Sequence, residues 1–169
     1  IGQIPLYYNQ TTSCRQNEGY YSDEPIRNYR DTLGSPLYPF GYGLSYTTFE
    51  YSDLKADEDK ISINDILSGK SFRISVRVKN TGDREGKETS QCYIHDCVAQ
   101  ITRPIRELKG FVKENYKPGE EKTVTFELSE KELGYWNTEK KYVVEPGKFK
   151  IFVGGDCLTK DEITVEITK

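Results

Sequence analysis

The segment SFRISVRVKN, residues 71 to 80, alternates without a break: Phe72, Ile74, Val76 and Val78 fall on one side, Arg73, Ser75, Arg77 and Lys79 on the other. A period of two is the mark of a strand with one buried face, and branched aliphatic side chains suit a pleated surface. The text on either side repeats the pattern. NTGDREG supplies a turn, and ETSQCYIHD (88–96) reads as a second strand with Ser90, Cys92 and Ile94 inward. IRELKGFVKENY (105–116) reads as a third, because its apolar residues hold no helical stripe and Gly110 interrupts them.

KPGEEKTVTFELS (117–129) gives a Pro-Gly turn and then Val124, Phe126 and Leu128 at alternate positions. In SEKELGYW (129–136) the spacing predicts one short helix, with Ser129 as N-cap, Glu132 closing a capping box and Gly134 as the stop. KYVVEPGKFKIFVGG (141–155) reads as strand, turn, strand with Phe149, Ile151 and Val153 inward. EITVEITK (162–169) follows with Ile163, Val165 and Ile167, and a leading strand lies around TFEYSDLKAD (48–57). Seven to eight short strands with regular turn signals predict an all-β, antiparallel β-sandwich, whose two half-buried sheets use up the alternating apolar residues.

Residues 1 to about 38 break the pattern. They are rich in Tyr, Asn, Gln and Arg, contain Pro5, Pro25 and Pro36, and show no sustained periodicity, so they have no core of their own. Such a stretch is expected to lie against another surface. Between it and the first strand stands PFGYGLSYTTFEY (39–51), with five rings and two glycines in thirteen positions. Pro39 fixes one backbone angle and Gly41 and Gly43 open others. The segment therefore reads as a rigid, well-packed connector anchored by Tyr38, Phe40, Tyr42 and Tyr46.

Bulk properties exclude several classes. Twenty-four basic against twenty-seven acidic residues, with no long block of either sign, argue against nucleic acid as a partner. No apolar run approaches the roughly 20 residues that cross a bilayer, and the first ten residues do not form a signal peptide. The absence of methionine from all 169 residues suggests a piece of something longer. Cys14, Cys92, Cys97 and Cys157 are too scattered for a disulfide scaffold, although an even count keeps one pairing open. Cys92-x4-Cys97 with His95 between them lacks the convergent ligand set of a zinc site, so no metal and no cofactor are expected.

The run SPLYPFGYGLSYTTFEYSDL (35–54) resembles the junction that precedes the C-terminal fibronectin type III-like domain of glycoside hydrolase family 3, the β-glucosidases and β-xylosidases. The likeness extends upstream to IGQIPLYYN and downstream through ITRPIRELKGF, KPGEEKTVTFELS and VVEPGKFKIFVGG, in the family's own order. It departs at Cys14-Arg15-Gln16, where the family often has Gly-Arg-Pro. The resemblance implies that residues 1–46 are the end of a preceding α/β-sandwich domain plus the connector (Pro39, Phe40, Gly41, Tyr42, Gly43, Leu44 and Tyr46). Residues 47–169 are then the fibronectin type III-like domain. It implies as partners an upstream barrel and α/β-sandwich domain, and as the parent's substrate an oligo- or aryl-glycoside with a terminal β-D-glucosyl or β-D-xylosyl unit. The parent is expected to be a bacterial-type soluble enzyme, cytoplasmic, periplasmic or secreted.

Retaining glycosidases need two carboxyl groups roughly 5 Å apart. In the family the nucleophile sits in a Ser-Asp-Trp sequence, and here Ser22-Asp23 and Ser52-Asp53 are followed by Glu24 and Leu54. Both aspartates read as solvated turn residues, no catalytic residue is expected in this chain, and His95 reads as a surface imidazole. Tyr135 and Trp136 are candidates for sugar or interface contact, with burial as the default, and Arg15 is a third candidate. The rival readings are a free-standing carbohydrate-binding or adhesion sandwich, and a small complete enzyme.

Overall fold

The computed structural model describes residues 6–11 and 35–169. Ser71–Asn80 does what its alternation demands: β3 (Phe72–Asn80) buries Phe72, Ile74, Val76 and Val78 and leaves Arg73, Arg77 and Lys79 outward. It is the centre of a three-stranded antiparallel sheet, between β1 (Phe49–Ala56) and β6 (Glu121–Leu128). The second sheet runs in the order β2 (Lys60–Ser62), β10 (Glu162–Thr168), β9 (Gly147–Gly154), β4 (Gly86–Asp96), β5 (Glu107–Tyr116). Stacked face to face, the two sheets enclose one core that includes Ile74, Val76, Cys92, Ile94, Val124, Phe126, Phe149, Ile151, Val153 and Val165. The expected all-β sandwich is the observed one.

Two details differ from the expectation. The stretch Lys60–Leu67 forms β2 and a one-turn helix, α1 (Ile63–Leu67), and β2 pairs parallel to β10 where only antiparallel pairing was expected. Three residues of strand carry too little alternation to be read from sequence. The helix announced by its capping box is present as α2 (Glu130–Leu133), with the Ser129 side chain accepting from the Lys131 N–H and Glu132 accepting from the Ser129 N–H at 3.0 Å. It leads into a small hairpin of β7 (Tyr135–Trp136) and β8 (Tyr142–Val143).

Asn80 ends β3 as a buried polar hub. Its side-chain amide donates to the carbonyls of Arg84 (2.7 Å) and Tyr116 (3.2 Å), and its Oδ1 accepts from the Thr47 hydroxyl (2.6 Å) and the Gly82 N–H (3.0 Å). With every polar atom satisfied, burial of this side chain costs little, and it fixes the turn, the end of β5 and Thr47, two residues before β1, at once.

Candidate functional site

β4 and its neighbour β9 are buried on both faces. In β4, Ser90, Cys92 and Ile94 point into the sandwich, while Gln91 and Tyr93 point the other way and are also covered. Part of what covers them comes from outside the sandwich. Tyr93, Phe152 and Cys157 form a second apolar cluster, against which Leu6, Tyr8 and Leu108 pack. Residues 6–11 and the connector around Phe40 and Gly41 therefore lie against the outer face of the five-stranded sheet.

Segment 6–11 meets the approach to β5: the Ile105 N–H donates to Gln10 O at 2.8 Å, Thr11 bridges to Pro104, and Tyr8 stands edge-on to Tyr93 at 6.1 Å between centroids. The connector then stacks Phe40 flat on Tyr8 at 3.9 Å. Its backbone is held more firmly than its rings. The Gln91 amide donates to Gly41 O at 3.0 Å and also to Gly155 O, while Gln91 Oε1 accepts from the Tyr93 hydroxyl at 2.6 Å. The Cys157 N–H donates to Phe40 O at 3.0 Å, and Arg106 donates to Cys157 O while lying 3.9 Å over the Phe152 ring. Gly41 has φ +85°, and a Cβ there would overlap the Gln91 amide, so two separate constraints require glycine.

Six residues on, Thr47 is gripped by Asn80, and its side chain packs where Gly82 and Gly86 leave room. Residues 41–47 thus form a span pinned at both ends. Between the pins Tyr42 is 45% exposed, Leu44 86% and Tyr46 90%. Below lies a cleft of about 480 Å³ lined by the span together with Glu85, Lys87, Glu88, Lys113 and Asp156. On this chain the rings expected to act as anchors face outward. Tyr38, Phe40, Tyr42 and Tyr46 are all exposed; Phe40, at 39%, stacks on Tyr8, Tyr38 lies 5.4 Å from Tyr42, and backbone hydrogen bonds at Phe40 and Gly41 hold the connector to the sheet.

The other candidates separate. Tyr135 is buried, its hydroxyl donating to Glu145 at 2.5 Å and its ring under Arg103 at 4.6 Å, whereas Trp136 is 65% exposed, against the expectation of burial. A two-residue strand sends neighbours to opposite faces. Arg15, Asp23 and Cys14 lie outside the described residues. Asp53 sits at φ 52° where β1 slips register, paired with Arg77. His95 is half-buried and bonds Pro104 O through Nδ1 at 2.9 Å. Cys92 lies in the inner core, where burial pushes its thiol up to about 12, and Cys97 is exposed beyond the strand's end. The sequence reading missed Gln91 and Asn80, two amides whose only advance signal was a polar residue placed within apolar strand text.

Residues 88–157 match the fibronectin type III-like domain. A β-glucosidase of Listeria innocua, solved with glucose, superimposes on 99% of this chain with a TM-score of 0.81 and 38% identity, the match taking up 23% of that protein. This is a fibronectin type III-like module of a family 3 glycoside hydrolase. The chain is 42% identical to a periplasmic β-glucosidase of Salmonella typhimurium over 92% of its length and 39% identical to a β-xylosidase of Formosa agariphila over 99%. It spans about a fifth of the length of these relatives, being 20% of the first and 22% of the second. The relatives are longer proteins in which this module is one part. Among the described residues, no helix is long and apolar enough to cross a membrane.

Proposed function

We propose that this module holds and orients the catalytic domains of a retaining β-glycosidase that removes terminal β-D-glucosyl or β-D-xylosyl units, and that it supplies none of the reacting groups. The observation that carries this reading is the span 41–47: its backbone is fixed at Gly41 and Thr47, and Tyr42, Leu44 and Tyr46 stand out between the fixed ends. Fixing a backbone while exposing its rings has no benefit for the sandwich itself. It suits a joint, because catalytic groups shared between domains must be placed to well under an ångström.

The exposed rings do not stand alone. Tyr7, Leu37, Tyr38 and Phe111 are also exposed on the same segments and strand, a density that marks a surface covered by another domain. In this reading residues 1–46 belong with the domain upstream, residues 47–169 form the module, and the partners are the barrel and α/β-sandwich domains of the parent. The reading of Asp53 as a surface residue is supported by its ion pair with Arg77.

The test is hydrolysis of p-nitrophenyl β-glucoside and β-xyloside by this chain beside the longer parent. Activity in the parent alone is expected, and turnover by this chain would overturn the accessory role. In the parent, Phe40→Ala is expected to lower turnover and loosen docking while leaving the preferred sugar unchanged. Unaltered stability together with unaltered turnover would remove the connector from the account.

A further inference from the structure

The β7–β8 hairpin carries the only tryptophan of the chain, and everything around it works to hold that ring outward. Trp136 faces Tyr142 across the strand pair, with the rings edge-on at 5.5 Å and 66°. Tyr142 is fixed in turn: its hydroxyl donates to Lys131 O at 2.6 Å, and its ring lies so close to Gly134 that any Cβ there would overlap it. The hairpin turn is closed by Asn137, whose Oδ1 accepts from the N–H groups of both Glu139 and Lys141 at 3.0 Å, with Lys140 at φ 61°. On the opposite face Tyr135 is locked to Glu145 and Arg103, which prevents the strand from rolling over.

The surroundings select the kind of ligand. α2 and the turn 137–141 carry three lysines (Lys131, Lys140, Lys141) and three glutamates (Glu130, Glu132, Glu139), and Lys141 pairs with Glu139 at 2.9 Å, so the rim has no net sign. Asn137, Thr138 and the paired ends add hydrogen-bonding groups. A protein partner needs several apolar anchors; the connector region exposes Leu37, Tyr38, Tyr42, Leu44 and Tyr46, whereas this hairpin exposes Trp136 and, in part, Tyr142. A rigid indole face ringed by neutral polarity fits a neutral ligand with C–H faces and hydroxyl edges.

We infer that Trp136, propped by Tyr142, is a stacking platform for a pyranose ring of a β-linked gluco- or xylo-oligosaccharide, a binding site separate from the joint at residues 39–47. The platform stands on the hairpin's own geometry. The choice of β-linked sugars rests on the proposed glycosidase parent.

The test uses this chain alone, so its outcome is independent of whether the module orients catalytic domains. Titration with cellotetraose and xylotetraose, read by the emission of the single tryptophan and in parallel by calorimetry, is expected to give a saturable change. Trp136→Ala is expected to weaken calorimetric binding at least about tenfold, equivalent to about 1.4 kcal/mol. Trp136→Tyr should retain part of it, and Phe111→Ala, which removes an exposed ring elsewhere, should retain all of it. No saturable change at the solubility limit of either sugar, or binding that survives Trp136→Ala, would overturn the assignment. Equal binding of α-linked maltotetraose would overturn its β-linked specificity.

Discussion

The inner face of the five-stranded sheet is filled by Cys92, Ile94, Phe149, Ile151, Val153 and Val165 and closed by the partner sheet, whereas the outer face of the same strands is filled by Gln91, Tyr93 and Phe152 and closed in part by chain from outside the sandwich. Two strands, β4 and β9, contribute to both. The inner face is aliphatic and non-directional, so it depends on area and shape. The outer face is aromatic and hydrogen-bonded, so it depends on position: Gln91 reaches Gly41, Gly155 and Tyr93 only if all three are in place. In the proposed reading, the module carries its own stability on one face and its attachment on the other.

The sharpest way to break this contrast is a cavity in the inner face. Ile151→Ala is expected to cost about 2–5 kcal/mol in denaturant unfolding and to lower protection across both sheets. A loss confined to residues 39–47 would contradict the division. Next in size, Asn80→Ala leaves the Tyr116 carbonyl unpaired in a buried setting and releases Thr47, for about 1–3 kcal/mol. This variant should unite the two regions, with amide exchange rising both at the end of β5 and at residues 47–48.

Gln91→Ala isolates the outer face. It deprives the buried Tyr93 hydroxyl of its acceptor, while the exposed Gly41 can turn its carbonyl to water, so about 1–2 kcal/mol is expected, at the lower end of the range for unpaired buried groups. Exchange should rise at the Cys157 and Tyr42 amides and stay unchanged at Ile151 and Val153. The Phe40–Tyr8 stack adds about 0.5–1.5 kcal/mol beyond the area it buries, so ring and amide hold the connector with comparable strength.

The smallest effect concerns Asp96, the one buried carboxylate at the end of β4. Burial is the main reason that its pKa lies above the ordinary 3.8. The Val98 N–H, donated to its Oδ1 at 3.2 Å, and the charges of Arg103 and His95 pull the other way, while Glu145 adds to the rise. A raised folded pKa means that the ionised form costs stability above that pKa, and the cost fades as pH falls toward 3.8. Asp96→Asn should therefore raise the melting temperature slightly near pH 7, with the gain gone below about pH 3.8, followed by thermal unfolding across that range. A gain independent of pH would point to repacking instead of charge.

The sandwich was legible wherever one face is buried and the other wet: Phe72 to Val78, Val124 to Leu128 and Phe149 to Val153 each announce their strand and its inner side. The capping box at Ser129 and Glu132 announced α2 equally well. β2 was too short to alternate, and its parallel pairing with β10 is a relation between residues more than a hundred positions apart. For the candidate sites, the sequence singled out the connector and Trp136 but had the connector's rings packed and the tryptophan buried.

What the sequence determined alone is therefore local and periodic: which segments are strands, which side faces the core, where the turns fall and where the aromatic connector begins. Only the tertiary structure decided that Gln91 and Asn80 are the pins of that connector, that the outer face of β4 is covered in part by the chain's own leading segment, and that Trp136 stands in solvent. The reason is physical. Periodicity reports burial against an averaged neighbour, whereas a hydrogen bond from Gln91 to Gly41, or the slot that Gly134 leaves for the Tyr142 ring, depends on partners brought together from distant positions by the fold.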